Sequence, residues 1–180
     1  MSKFDHAIDF IFAVEGYVSN SKYDAGGYTK YGIAQKAHPN VDVKNLTLDG
    51  AKAIYKRQYW DACRCDEFDE NVGLYVMDFA VNSGVKTAVK ALQKCVNKLL
   101  AEPTELVVDG QVGPKTIESV KKADARALVA ALHAYRTAFY FSLVKKSPSQ
   151  NVFIRGWMNR LAKLQMYVNG VAIKQFGLFV

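Results

Sequence analysis

The stretch "FDHAIDFIFAVEGYVSNSKYDAGGYTKYGI", residues 4–33, decides the fold because its pattern changes part-way along. Apolar residues first recur at helical spacing on one face, with Phe10 expected at the flank: Phe4, Ala7, Ile8, Ile11 and Phe12. Ser2 and Asp5 have the spacing of a capping box, in which each side chain binds the other residue's backbone N–H. The first half of the stretch therefore predicts an amphipathic helix.

The second half of the stretch predicts a small hairpin. Glu15 lies three residues after Phe12, so it continues the apolar face, and Gly16 is a plausible helix stop. Residues 16–33 are rich in glycine, tyrosine, serine and asparagine, which favours a short irregular β-hairpin. A rigid helix end would then carry the Glu15 carboxylate, and the hairpin would carry Asp24 and Thr29.

The rest of the chain predicts helices. We expect them at 47–59 with Thr47 as cap, 72–82, 84–100, 114–121, 124–145 and 149–169. A loop, "AEPTELVVDGQVGP" (101–114), interrupts the series, and Pro114 suits the first position of a helix. No linker is long enough to separate two moving domains. The predicted fold is mainly α (α+β), a helical bundle with one small β-hairpin, forming one globule with two lobes.

The charge of the chain favours a polyanionic partner. Its 180 residues carry a formal net charge of +7, with a pI near 9.2. Nucleic acid, anionic lipid and the bacterial cell wall all qualify. The basic residues are dispersed and not interleaved with aromatics on one segment, which argues against nucleic acid.

The three cysteines, Cys63, Cys65 and Cys95, predict free thiols in a reducing compartment. Cys63 and Cys65 are too close in sequence for an ordinary structural disulfide. A zinc site at this Cys-x-Cys pair is the alternative, but it needs further ligands. The histidines, at positions 6, 38 and 133, match no ligand spacing, and we expect no metal and no cofactor.

Two membrane-related signals are weak in the sequence. Asp5, Asp9 and Glu15 interrupt the apolar N-terminal stretch, so it does not predict a signal peptide. No later segment of transmembrane length is free of charges. We expect a protein made in the cytoplasm, without stable membrane insertion.

Glu15, Asp24 and Thr29 form a pattern suited to cleavage of glycosidic bonds, which commonly uses two carboxyl groups. Glu15, at the end of an apolar helix face, could hold a proton, while Asp24, in a wetter loop, would stay ionised. Thr29 offers a hydroxyl that could hold the attacking water. The alternative is an ordinary "DAGG" turn beside a solvated helix-end glutamate.

The segment "EGYVSNSKYDAGGYTKYGIAQKA" resembles the opening motif of the phage and bacterial muramidases of glycoside hydrolase family 108. Further segments resemble the same family and its associated peptidoglycan-binding region: "YWDACRCDEF", "VMDFAVNSGVKTAVKALQKCVN", "LVVDGQVGPKTIESV" and "FIRGWMNRL". The resemblance covers about residues 8–168. One departure is that Gly16 is followed by Tyr17, where the family usually has a second glycine.

The resemblance implies an N-acetylmuramidase that cleaves the β-1,4 bond between N-acetylmuramic acid and N-acetylglucosamine. It makes Glu15 the general acid, Asp24 the second carboxylate and Thr29 the residue that orients water. Candidate substrate-binding residues are Tyr28, Tyr31 and Gln35, which are near this motif in sequence, and Asn82 and Ser83 at the "NSG" turn. Core packing for Tyr31 and a helix C-cap role for Asn82 and Ser83 stay open, and we expect Tyr59 and Trp157 to be core aromatics.

The resemblance also implies the organisation of the chain and its partners. Residues 1–95 would form the catalytic lobe and residues 96–180 a peptidoglycan-binding-like helical lobe. The partner would be bacterial peptidoglycan, and we expect a monomer. A phage endolysin in the host cytoplasm that reaches the wall through holin lesions fits best. The alternatives are a lytic transglycosylase acting on the same bond and a non-catalytic peptidoglycan-binding protein.

Overall fold

The computed structural model describes residues 1–15, 18–19, 28–101 and 106–170. Its helices are α1 (Lys3–Glu15), α2 (Leu48–Tyr55), α3 (Glu70–Ser83), α4 (Val85–Leu100), α5 (Pro114–Lys122), α6 (Ala125–Lys146) and α7 (Asn151–Val168). A π-helical turn, Lys56–Trp60, continues α2, and short 3-10 turns lie at Cys65–Glu67 and Pro148–Gln150. The predicted mainly helical class is confirmed.

Three short strands form one antiparallel sheet: β1 (Val18–Ser19), β2 (Thr29–Lys30) and β3 (Ile33–Ala34). β2 is the central strand, pairing with β1 and with β3. The sheet lies in the segment where the glycine-rich pattern predicts a hairpin. Residues 16–17 and 20–27, including Asp24, lie outside the described part of the chain.

The helix starts follow local capping chemistry. The Asp5 N–H donates to Ser2 Oγ (3.0 Å), and the Ser2 N–H donates to Asp5 Oδ2 (3.0 Å), which confirms the capping box. Thr47 Oγ1 accepts from the Gly50 N–H (3.1 Å) at the start of α2, as predicted. Pro114 occupies the first turn of α5.

Helix α3 is the centre of the molecule. Its residues 72–80 are all buried, and it packs against α1, α4 and α6. The predicted apolar face of α1 is buried as expected, but the placement of Phe10 at its flank is wrong. Phe10 is fully buried because the ring of Tyr167, near the end of α7, lies 5.3 Å from its own. Helix α1 is therefore covered on two sides.

Helix α6 is, among the described residues, the one helix long and apolar enough to cross a membrane by length and composition. It carries Arg136 in its middle, and this guanidinium is buried against Asp78 of α3. Its packing against α3, α4 and α7 places it in the helical globule.

Candidate active site at the end of helix α1

The end of α1 and the small sheet are neighbours along the chain and in space. Glu15 is the last residue of α1, and β1 begins three residues later. Ser19 of β1 pairs with Thr29 of β2, and Thr29 also pairs with Ala34 of β3. Thr29 is therefore in the central strand, half-buried. The side chain of Glu15 and the whole of Asp24 lie outside the described residues.

A tight turn at Tyr31 and Gly32 joins β2 to β3. Both residues have positive φ, 54° and 76°, as in the type I′ turns that suit two-residue hairpins. Glycine adopts this conformation freely, whereas tyrosine seldom does. The Tyr55 hydroxyl donates to the Tyr31 carbonyl oxygen (3.1 Å), and the rings of Tyr31 and Phe12 are 5.9 Å apart. The turn is thereby held against the end of α2 and the last part of α1.

Tyr28 and Tyr31 both lie partly buried against the hydrophobic core. The core-packing interpretation of Tyr31 agrees with this position, since its ring contacts Phe12. The Lys30 ammonium also lies 5.5 Å from the centre of the Tyr31 ring. A sugar-binding role for either tyrosine stays a prediction.

The side chain of Gln35 organises the loop that follows β3. Its amide Nε2 donates to the carbonyl oxygens of His38 (3.1 Å) and Val41 (2.8 Å). Its Oε1 accepts from the Val43 N–H (3.2 Å). These bonds satisfy backbone groups of an irregular segment. Without them, the unpaired N–H and carbonyl groups would lower the stability of the fold. A role for Gln35 in substrate binding stays a prediction.

Asn82 and Ser83 are the last two residues of α3. The cap itself is Gly84, whose N–H donates to the Ala80 carbonyl and whose φ is 89°. Asn82 is exposed, and its Oδ1 accepts a hydrogen bond from the Tyr140 hydroxyl (2.6 Å). The carboxamide of Asn82 is thus held by α6, from the other half of the chain.

Tyr140 belongs to a buried polar cluster between α3, α6 and α7. Asp78, fully buried, accepts from Arg136 of α6 and, at 2.8 Å, from Arg160 Nε of α7. Burial acts to raise the pKa of the Asp78 carboxyl, but the guanidinium groups of Arg160 and Arg136 outweigh it and hold this pKa below its ordinary value. Arg136 Nε also donates to the Tyr140 hydroxyl (2.7 Å), so the cluster continues to Asn82.

This cluster is what sequence reasoning missed. Asp78 and Arg136 are 58 residues apart, as are Asn82 and Tyr140, and no local pattern links them. One signal was present: Arg136 lies in the middle of α6, in a mostly apolar stretch between Arg126 and Lys145, and a buried arginine requires an acidic partner. Two aromatic residues were expected in the core. Trp157 is half-buried, and its ring stacks on that of Tyr140 with 4.7 Å between the ring centres. Tyr59 is partly buried against the core.

The loop at residues 106–113 is organised by Gln93 of α4, which is 1% exposed. Gln93 Nε2 donates to Asp109 Oδ1 (2.8 Å) and to the Gln111 carbonyl (3.0 Å), and its Oε1 accepts from the Gly110 N–H (2.9 Å). Gly110 has φ 83°, and a Cβ there would lie 2.8 Å from Lys86 Cγ. Only glycine suits this turn.

A groove of about 900 Å³ runs beside this loop. Its lining comes from the loop, from Gln93 and from α5, including Val107, Val112, Lys115 and Glu118. The predicted turn before a helix is observed, since α5 begins at Pro114 directly after the loop. Binding of the wall in this groove stays a hypothesis.

The cysteines are free, as the sequence predicts, and all three are buried. Burial raises the pKa of Cys95 to about 11 and that of Cys65 well above its ordinary value, so both are protonated at neutral pH. Within residues that the structure describes, no group of three or more histidine, cysteine or acidic side chains could hold a metal ion.

Two family models match consecutive parts of the chain. Residues 8–84 match the model described as Glycosyl hydrolase 108, and residues 87–162 match one described as Predicted Peptidoglycan domain. The chain carries a glycosyl hydrolase 108 region followed by a peptidoglycan domain. The matches meet between α3 and α4, and the division into lobes at residue 95 stays a prediction.

The structure of Brucella abortus SagA is similar to this chain over nearly the whole length. It is 28% identical, the similarity covers 98% of each chain, and the TM-score is 0.73. None of the curated proteins with which the sequence was compared matches it.

Glycosyl hydrolase 108 and peptidoglycan regions in one chain support a peptidoglycan hydrolase, a glycoside hydrolase whose partner is peptidoglycan. The glycosyl hydrolase 108 region contains the second half of α1, the sheet and α3, and the peptidoglycan domain contributes α6 with Tyr140 and Arg136. The hydrogen bond from the Tyr140 hydroxyl to Asn82 therefore joins the two regions.

Proposed function

We propose that this chain hydrolyses the β-1,4 bond between N-acetylmuramic acid and N-acetylglucosamine, with Glu15 as general acid. Asp24 is the second carboxylate, and Thr29 orients the attacking water. The observation that carries the proposal is the contact of the hairpin turn with α1. The ring of Phe12, one turn before Glu15, lies against Tyr31, and Thr29 is two residues from Tyr31 on the same hairpin.

The two carboxyl groups need different environments for this chemistry. A general acid must stay protonated near neutral pH, which an apolar setting favours, while its partner stays ionised in a wetter one. Glu15 ends a helix whose inner face is apolar, and Asp24 belongs to a segment rich in glycine and tyrosine. Tyr28, Tyr31, Gln35, Asn82 and Ser83 line the glycan site in this proposal.

A turbidity assay on outer-membrane-permeabilised cells tests the roles. Glu15→Gln keeps the side-chain size but cannot donate a proton as an acid, so we expect a loss of roughly 10²- to 10⁴-fold. Asp24→Asn should also cause a large loss. Thr29→Ala should lose less, about tenfold, because a water can partly reposition itself. Thr29→Ser keeps the hydroxyl and is the matched control. Near-normal lysis by Glu15→Gln would mean that the acid is misassigned.

We also propose that the protein acts as a monomeric endolysin in host cell lysis. It is made in the host cytoplasm and reaches the wall through holin lesions. The buried free cysteines suit a reducing compartment, and the net charge of +7 suits an anionic wall. Expression with and without a holin tests this route: lysis should require the holin. Equally fast lysis without it would contradict the route while leaving the enzymatic proposal intact.

A further inference from the structure

The hydrogen bonds around Tyr140 determine which way the Asn82 carboxamide is turned. A guanidinium has donors only, so the bond between Arg136 Nε and the Tyr140 hydroxyl (2.7 Å) uses the hydroxyl as acceptor. The hydroxyl proton is then free to be donated to Asn82, at 2.6 Å. Asn82 must present its oxygen to Tyr140, and its NH2 group therefore points the other way.

This arrangement is rigid on the Tyr140 side. Tyr140 and Arg136 are each 1% exposed, and Trp157 stacks on the Tyr140 ring with 14° between the planes. Arg136 is in turn held by the buried carboxylate of Asp78. Asn82 itself is exposed, and within the described part of the chain its NH2 group has no hydrogen-bond partner. Two donors of fixed direction are thus presented at the surface.

These donors lie at the same end of the molecule as Glu15. The Lys3 ammonium, at the start of α1, donates to the Phe68 carbonyl (2.6 Å), just before α3 begins. Helices α1 and α3 have 13 and 14 residues and pack together, so each rises about 20 Å from this common end. Glu15 and Asn82 both lie in the last turn of their helices.

We propose that Tyr140 is a positioning residue of the glycan site. It turns Asn82 so that the NH2 group donates to a carbonyl oxygen of the substrate, the acetamido group of a wall sugar. The peptidoglycan domain then does more than bind the wall, because one of its side chains completes the site of the glycosyl hydrolase 108 region. The inference rests on the proposed muramidase function and adds the substrate group that Asn82 selects.

Binding of soluble glycan-strand fragments, measured by calorimetry in a Glu15→Gln background, tests the inference without cleavage. Tyr140→Phe should weaken binding of N-acetylated fragments about fivefold, and Asn82→Asp, which lacks the outward donors, about tenfold. Chemically de-N-acetylated fragments should bind all variants equally. Tyr135→Phe, on α6 with its hydroxyl 3.4 Å from Lys94 Nζ, is the control and should bind like the parent.

A double-mutant cycle separates positioning from a general structural effect. In an Asn82→Ala background, Tyr140→Phe should cause no further loss, because it acts through Asn82. Equal, additive losses would overturn the inference, and so would losses of the same size on de-N-acetylated fragments. If Tyr140→Phe fails to fold because Arg136 loses a partner, Asn82→Asp still tests the donor that Tyr140 positions, since Asn82 is exposed, and unchanged binding of N-acetylated fragments by Asn82→Asp would overturn the inference.

The outcomes also separate this inference from the proposed function. A wild-type protein that releases no muropeptides contradicts the muramidase proposal, while the binding series still tests Asn82 and Tyr140. Normal cleavage with unchanged binding by Asn82→Asp and Tyr140→Phe contradicts only the positioning role. An N-acetylated fragment that binds none of the proteins, including the parent, contradicts the inference as well.

Discussion

Two glutamines, one in each region of the chain, hold two irregular loops with the same number of side-chain hydrogen bonds. Gln35 and Gln93 each donate twice through Nε2 and accept one backbone N–H at Oε1. The settings differ. Gln35 is half-buried at the start of its own loop and reaches three to eight residues ahead, whereas Gln93 is buried in α4 and reaches 16 to 18 residues ahead.

This difference shows how one side chain can serve two kinds of loop. The bonds of Gln35 are local, so they shape the segment after the hairpin whether or not distant helices are in place. The bonds of Gln93 exist only when the 106–113 loop lies on α4, so they belong to tertiary packing. Removing Gln93 should therefore mainly affect stability, and removing Gln35 should mainly affect the neighbouring site.

The largest effect on stability is expected for Gln93→Ala. It leaves a small cavity and removes the hydrogen bonds of the Gln93 side chain to Asp109, Gly110 and Gln111, so the free energy of unfolding should fall by about 2–3 kcal/mol. Urea unfolding followed by circular dichroism measures it. Lys98→Ala, an exposed change on the same helix, is the control and should stay within about 0.5 kcal/mol. A loss no larger than that of the control would mean that the loop does not depend on Gln93.

Gln35→Ala is expected to cost less, about 1–2 kcal/mol, because Gln35 is only half-buried and its removal leaves no closed cavity. Its effect on wall cleavage should exceed that of Gln93→Ala when both are assayed well below their melting temperatures. The reason is that Gln35 directly follows strand β3, so the loop it organises lies beside the proposed glycan site, whereas the loop held by Gln93 lies in the peptidoglycan domain. Equal activities of the two variants would contradict the prediction that Gln35 matters more than Gln93 for wall cleavage.

Gly32→Ala tests the local nature of the hairpin. Its φ of 76° is strained for alanine, so the free energy of unfolding should fall by about 1 kcal/mol. Gly156→Ala, in α7 with no atom within 4 Å of the added Cβ, is the matched glycine control. It should be neutral or stabilising, because alanine is the better helix former. A neutral Gly32→Ala would contradict the turn geometry.

The smallest effect is expected for the pH dependence of stability that arises in the 106–113 loop. Hydrogen bonds from the Gln93 side chain and the Gln111 N–H hold the pKa of Asp109 below its ordinary value of 3.8. Because this pKa is lowered on folding, the carboxylate stabilises the fold above pH 4, and that contribution is lost as the pH falls through the folded-state pKa. The stability difference between wild type and Asp109→Asn should therefore shrink between pH 7 and pH 2, as measured by thermal unfolding at several pH values. A constant difference would contradict this role.

The sequence predicted features whose causes are local. The capping box at Ser2 and Asp5, the Thr47 cap and the helix start at Pro114 depend on neighbouring residues, and all are observed. Phe10 was misplaced because its covering ring, Tyr167, returns from the far end of the chain.

The site follows the same rule. The motif predicted that Thr29 lies on a hairpin that follows α1. The strand pairing places Thr29 in β2, the central strand of the sheet. The support of Asn82 by Tyr140 could not be read from the motif, because it depends on how α6 packs on α3. Roles for Glu15 and Asp24 stay predictions.

The most direct test of the account is analysis of the sugar ends released from purified peptidoglycan. Wild-type protein and Glu15→Gln are incubated with the same wall preparation, and the soluble products are identified by mass spectrometry. The account predicts fragments with ordinary reducing N-acetylmuramic acid ends from the wild type and almost none from Glu15→Gln. Anhydro-muramyl ends would identify a lytic transglycosylase instead, and reducing N-acetylglucosamine ends or equal release by both proteins would contradict the central claim.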